Sequence, residues 1–295
     1  LFVFCFTTDA TAFYQPADSL KTKIILLGTG NPYPNADRSG PATAIVYGNR
    51  FFLFDAGAGI ERRINAAKLP VSGPEAVFIT HLHSDHTLGY PDLIMTSWVM
   101  RRNKALQVFG PTGLQRMTNL IMDAWSEDID LRVKGLEREQ PDFLQVKVHE
   151  IKAGLVYDSA GVRITAIPVL HGSWKQAYGY RIDTPDRSVV ISGDTSPSEA
   201  LLEASRGVDV LIHEVYAAAT SRPENRPGGE YWPQYQKEFH TSDLELGKLA
   251  AEAKPKLLIL THLGRISATD STLIKGIRKG GYKGNVILGN DLDLF

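Results

Sequence analysis

The stretch Thr80 to Gly89, THLHSDHTLG, sets three histidines and one aspartate between positions 81 and 86. Neutral imidazole and ionised carboxylate suit zinc, and also manganese or iron. If Thr80 ends a strand, His81 and His83 leave the turn on one side. Asp85 and His86 then follow as the chain bends away. Two imidazoles can hold one ion while the Asp-His pair holds a neighbour. Farther on, His171, His213 and His262 stand at or just past apolar runs, Asp194 also follows one, and His240 opens a helical stretch. His81, His83, His171 and Asp194 would make one site. Asp85, His86 and His262, sharing Asp194, would make the second. Two ions held by a shared carboxylate and a shared water characterise binuclear hydrolases. The plain alternative is a polar loop, with strand-end side chains that only cap backbone groups.

Such side chains gather at one sheet edge only if strands and helices carry them there. KIILLGTG reads as a buried strand feeding a turn, and TAIVYG with RFFLFDAG as a hairpin turning at Gly48-Asn49. IERRINAAKL is helical, and EAVFIT is a strand running straight into the histidines. PDLIMTSWVMRRN is a helix with Pro91 in its first turn, and PTGLQRMTNLIMDAWSEDI reads as one further helix after the strand LQVFG. Positions 131–157 alternate weakly. GVRITAIPVLHG ends at His171, and two strands around a Thr-Pro-Asp-Arg turn end at Asp194. SPSEALLEASRG is a helix capped by Ser196 with Pro197 in its first turn. Positions 217–239 read as a Pro/Gly/aromatic loop between the strand VDVLIHEVY and a helix capped at Thr241-Ser242. Alternating strands and helices with hairpins point to a layered α/β domain with mixed sheets rather than an all-parallel barrel. Residues 23–295 read as one such domain, preceded by a leader at 13–22.

Of 295 residues, 43% are apolar and 22% charged, and the formal net charge is −1. That balance gives no electrostatic case for nucleic acid. After the N-terminal segment, no apolar run reaches the length of a membrane-spanning helix. Residues 1–12, LFVFCFTTDATA, read like the back half of a truncated secretory signal peptide with an A-x-A site. The expected location is then secreted or periplasmic, and cytoplasmic if the segment is instead a first strand. The single cysteine, Cys5, lies there, so no intrachain disulfide and no zinc-thiolate site can form.

HLHSDH matches the H-x-H-x-D-H signature of the metallo-β-lactamase superfamily, and the chain resembles that family from about Lys23 onward. FDAG (Asp55), His171, SGDT (Asp194) and THLG (His262) fall in its order. The resemblance implies a four-layer αβ/βα sandwich, with two mixed sheets between outer helices and metals at one edge. It also implies two divalent ions, zinc foremost, with manganese or iron as alternatives. The stretches LLGTGNPYPNADRSGPATAI, LIHEVY and FHTSDLELGKLAAEAKPKLLILTHLG are similar to the ribonuclease Z-like branch. There Glu214 matches a glutamate that orients a histidine, matched by His240. The implied role of His240 is to stabilise charge on the substrate or to protonate a leaving oxygen. Asp85 would bind one ion and handle the proton of a metal-bridging hydroxide. Asp55 reads as a partner of ligands, His213 as a packed strand-end residue, and His149 as a surface residue.

Transfer-RNA-processing members usually carry a long arm, often between the positions matching His171 and Asp194. Here 22 residues, 172–193, intervene. The expectation is therefore a hydrolase of small sulfate or phosphate esters, similar to the secreted arylsulfatases of the branch. Its partner would be a small anionic ester rather than a nucleic acid, and a homodimer is one assembly open to it. Trp174, Trp232 and Tyr235 are expected near the substrate. The alternatives are a tRNA 3′-processing endoribonuclease, a lactonase or β-lactamase-like hydrolase, and a non-catalytic metal-bearing binding protein.

Overall fold

The computed structural model describes residues 20–264 and 268–295. The signal-peptide segment 1–12 and most of the leader, 13–19, lie outside the described residues. The first sheet takes its six strands in chain order: β1 (Lys23–Gly28), β2 (Ala42–Tyr47), β3 (Arg50–Phe54), β4 (Ala76–Phe78), β5 (Leu106–Gly110) and β6 (Val146–Glu150). Hairpins make the first pairings antiparallel and helical crossovers make the later ones parallel. The second sheet holds β7 (Gly154–Ser159), β8 (Val162–Pro168), β9 (Tyr178–Asp183), β10 (Ser188–Ile191), β11 (Val210–Tyr216), β12 (Leu257–Gly264) and β13 (Asn285–Leu288).

The period-2 pattern of the strands sorts their side chains into layers. In β1, Ile24 and Leu26 face the second sheet, joining Phe52, Phe54, Ile164, Tyr180 and Ile212 in the central core. Ile25 and Leu27 point outward, with Phe51 and Leu53, against α1 (Ile60–Ala66), α3 (Tyr90–Val99) and α4 (Leu114–Ala124). On the far side, Val190, Leu211 and Leu258 pack under α7 (Glu199–Ser205), α9 (Asp243–Ala253) and α10 (Asp270–Lys279). Two sheets between outer helices make the expected αβ/βα sandwich of the metallo-β-lactamase fold. Each fully buried Leu, Ile or Phe in these layers contributes roughly 1.5–3 kcal/mol.

Besides helix α8 (Trp232–Phe239), described with the site below, the described elements differ from the sequence reading in three places. The long helix after β5 breaks at Trp125 into α4 and α5 (Ser126–Lys134). The weakly patterned stretch holds α6 (Pro141–Leu144), β6 and β7, which includes the outer strand of each sheet. Helix α7 is capped by Ser198 rather than Ser196: its hydroxyl accepts from Leu201 N at 3.3 Å. Ser196 is drawn off to a bridge with Leu170, which leaves Pro197 outside the helix.

Candidate active site

The first four ligand candidates depend on β4, which is only three residues long. Its neighbours hold it in place. Phe78 stacks between Phe54 and Phe109 at 5.1 and 4.9 Å, and Tyr180 Oη donates to Ile79 O at 2.8 Å. Tyr178 N donates to Thr80 O at 2.9 Å, joining the two sheets just below the histidines. His81 and His83 follow, and the short helix α2 (Ser84–Thr87) presents Asp85 and His86.

Asp55, in the left-handed region with φ +59°, directly follows β3 and aims its carboxylate into this turn. It accepts from Thr80 N at 2.8 Å, Thr80 Oγ1 at 2.9 Å and His86 Nδ1 at 2.8 Å. It thus grips both sides of the turn, as a partner of ligands would.

The second sheet contributes the remaining groups from strand ends. His171 follows β8, and its Nδ1 donates to Phe239 O at 2.7 Å. Asp194 follows β10 through Gly193, whose φ is +59°. A Cβ at Gly193 would stand 2.6 Å from Tyr178 O, so only glycine lets the chain pass there. His262 sits in β12 where the pairing slips: Glu214 opposes Thr261 and Val215 opposes Leu263. The skipped His262 has φ +48°. A bulge of this kind re-aims a side chain.

All seven side chains converge. One group comprises His81, His83, His171 and Asp194, and another Asp85, His86 and His262. Asp194 Oδ2 lies 3.4 Å from the Nε2 atoms of both His86 and His262, and 4.0 Å from His81 Nε2. That is the placement of a carboxylate shared between two positions. His262 Nε2 stands 3.1 Å from Asp85 Oδ2. His86 Nε2 is buried without a hydrogen-bond partner and points toward the carboxylates. A buried, unpaired nitrogen costs free energy unless something fills the gap. The donor set is oxygen and imidazole nitrogen, so these residues fit a pair of divalent cations, with zinc well suited.

His240 closes the site from the other side. Its Nδ1 is 3.2 Å from Glu214 Oε1, which also accepts from Thr241 N at 3.1 Å and Thr195 N at 3.2 Å. Burial alone would push the His240 ring down; Glu214, aided by Asp194, outweighs this and holds it up to about 9. His213 is fully buried, with Nδ1 2.6 Å from Glu214 O. His149 is exposed and stacks on Phe109.

A cavity of about 700 Å³ opens onto His240 and His262. One wall is the 31–38 loop with Asn31, Tyr33 and Arg38; the other carries Arg226, Trp232 and Tyr235. The segment read as loop 217–239 ends in helix α8 (Trp232–Phe239), begun by Pro233 in its first turn. Trp232, Tyr235 and Phe239 stack along it at 5.0 and 4.5 Å. Trp174 does not line this cavity; its indole contacts His83 instead. Tyr33, which is 77% exposed, was missed, although a tyrosine between two prolines in NPYPN is a rigid, displayed aromatic.

The sequence matches the Beta-lactamase superfamily domain over residues 50–263. It is 33% identical to the ribonuclease Z of Mycobacterium marinum over 279 residues, covering 92% of this chain and 96% of the relative. The ribonuclease Z of Mycobacterium tuberculosis is 31% identical with the same coverage. In fold, the chain is similar to human tRNase Z, short form, with TM-score 0.70 and 20% identity over 92% of this chain and 98% of that one. The metallo-β-lactamase fold protein YhfI of Bacillus subtilis gives TM-score 0.71 and 20% identity, covering 93% and 98%.

These relatives overturn the expectation of a small anionic ester rather than a nucleic acid as partner. The segment between His171 and Asp194 is the armless hairpin β9–β10 that the sequence suggests. The mycobacterial enzymes nevertheless carry the name ribonuclease and align almost end to end with this chain. A missing arm is therefore no ground for excluding RNA, and a net charge near zero says nothing about one groove.

Proposed function

This chain belongs to the metallo-β-lactamase superfamily, in its ribonuclease Z branch, and from that premise we propose that it is a metal-dependent phosphodiesterase cutting RNA near 3′ ends. The observation carrying the reading is the meeting of the His240–Glu214 pair with the cavity of about 700 Å³. Pockets of this order hold groups the size of a small ligand. Tyr33, Trp232 and Tyr235 supply flat faces of the kind on which nucleobases stack. Arg38, held by Thr29 Oγ1, Gly289 O and Asn290 Oδ1, and Arg226, paired with Glu224, put positive charge on the cavity wall. The relatives named ribonuclease Z support the same substrate class.

The groups His81, His83, His171, Asp194 and Asp85, His86, His262 would hold two divalent ions, zinc foremost. Bound there, such ions supply Lewis acidity, acidifying the attacking water and drawing charge from the phosphoryl oxygens. The chain's own groups do the rest. Asp85 accepts the proton of the attacking water. Glu214 fixes His240 through Nδ1, leaving Nε2–H to donate to a phosphoryl oxygen as charge builds. The same nitrogen then protonates the leaving oxygen.

A precursor tRNA with a 3′ trailer, incubated with zinc-loaded protein, is expected to be cut once near the trailer junction, and chelation should abolish the cut. Turnover of an aryl phosphodiester with the RNA left intact would overturn the RNA reading.

A further inference from the structure

The cavity wall at 31–38 belongs to a loop that joins β1 to β2. Between Thr29 and Ser39 its backbone closes on itself only from Gly30 N to Ser39 O at 2.8 Å and from Arg38 N to Asn35 O at 3.4 Å. A segment so sparsely bonded moves unless something outside it holds it. It carries Tyr33, displayed between Pro32 and Pro34, so the seat of the loop decides what the cavity offers a substrate.

One carboxylate holds both ends. Asp291 follows β13, and its Oδ1 accepts from Thr29 N at 2.9 Å and Thr29 Oγ1 at 2.8 Å. Its Oδ2 accepts from Ser39 N at 2.7 Å and lies 3.2 Å from Arg63 Nη2. Arg63, on α1, also donates to Ser39 Oγ at 2.6 Å. The Asp291 side chain is only 4% exposed. A buried carboxylate needs its lone pairs filled, and here the two ends of the loop and Arg63 fill them. The two residues before it add to the grip: Gly289 O and Asn290 Oδ1 each accept from Arg38 at 2.8 Å.

The grip is stiff because its carrier is fixed. Past Asp291 the chain lies antiparallel to β1: Leu26 N donates to Asp293 O at 3.0 Å, and Ile24 and Phe295 exchange backbone bonds at 2.9 Å. At the metal edge, Asn31 Nδ2 donates to Leu263 O at 2.9 Å, next to His262.

We propose that Asp291 is a positioning residue for the RNA substrate: by clasping Thr29 and Ser39 it seats the Tyr33 face before the substrate arrives. Asp291 acts through the loop and touches no substrate. The proposal rests on the RNA reading and adds the residue that sets the cavity wall. Ordering a loop during binding weakens binding. A wall set beforehand therefore lowers KM and leaves the chemical step alone. Asparagine cannot stand in for this carboxylate. It has one acceptor oxygen, and its NH2 would face an N–H at one end of the loop.

Zinc-loaded parent and Asp291→Asn are compared by amide hydrogen exchange and by steady-state cleavage of the precursor tRNA. Amides of residues 29–39 should exchange about tenfold faster in the variant, with those of β12 unchanged. KM should rise about tenfold, with kcat and bound zinc unchanged. Thr29→Val loses the hydroxyl bonds but keeps the shape and the backbone bond. It should raise KM about threefold, and it decides the matter if Asp291→Asn does not fold. Unaltered exchange overturns the clamp, and a loosened loop with equal KM overturns the positioning role. A fall in kcat together with zinc content would also overturn it, since the damage would then lie at the metal cluster. If the parent itself leaves the RNA intact at full zinc occupancy, the RNA reading falls and the positioning role with it.

Discussion

Glu214 Oε1 accepts three hydrogen bonds at once, from His240, Thr241 and Thr195. A carboxylate so satisfied has little freedom, and it passes that rigidity to the His240 ring. The proposed division of labour between His240 and the clustered histidines separates rate from metal content. His240→Ala should lower turnover roughly 10²–10³-fold, the scale of losing one charge-stabilising donor, with bound zinc unchanged. His83→Ala should lose turnover and zinc together. Metal analysis beside the rate assay decides: equal zinc loss in both variants would make His240 a ligand and end the dyad reading. Residue chemistry of this sort was legible in the sequence, because His, Asp and Glu at strand ends have few other uses in such numbers. The contact of the Trp174 indole with His83 was not, since Trp174 lies far along the chain.

Elements explain what spacing alone could not. Helix α8 reads as loop because Pro, Gly and aromatics dominate positions 217–239. Its helical form rests on Pro233 being tolerated in a first turn and on the stack of Trp232, Tyr235 and Phe239. The bulge at His262 leaves no composition signal at all, because THLG looks like any strand end.

The packing of α1 against α3 carries a cost of its own. Glu61, in the first turn of α1, is buried, and neither carboxylate oxygen has a hydrogen-bond partner. Burial, with Asp92 adding to it and Arg102 opposing it, pushes its carboxyl up to about 8. The unfolded chain ionises it near 4.5. Between these values folding must take up a proton, so its contribution is fully present below the lower value and is lost as the pH climbs toward the upper one. Glu61→Gln should therefore gain stability at pH 8 relative to the parent, by on the order of 2 kcal/mol, and little at pH 4. Urea unfolding of both proteins at the two pH values measures this. An equal difference at each pH would mean that Glu61 is charged in the folded state.

Across the whole molecule, the candidate ligands come from both sheets. His81, His83, Asp85 and His86 follow β4, while His171 and Asp194 follow β8 and β10 and His262 lies in β12. An ion bound between them ties one half of the sandwich to the other. Saturating zinc at a hundred to a thousand times its dissociation constant should stabilise the fold by about 3–4 kcal/mol. For a chain of this size, chelation should then lower Tm by roughly 10 °C. Calorimetry with and without chelator tests it; identical Tm values, with the metal shown to have been removed, would mean that the ions contribute nothing to holding the sheets together. The sandwich itself was legible because each strand alternates between two apolar faces. The outer strands β6 and β7 were not, because their exposed positions blur that alternation.

The division of the ligand set also imposes a timetable on synthesis. Chains emerge N-terminal part first and fold by parts. The cluster of His81, His83, Asp85 and His86 leaves the ribosome long before His171 and Asp194, and His262 follows last of all, set in place only once β12 lies beside β11. A growing chain thus offers scavenging metals half a cage, and the complete one forms only when the second sheet closes. Cutting activity would then be withheld from the nascent polypeptide until its final strands have joined.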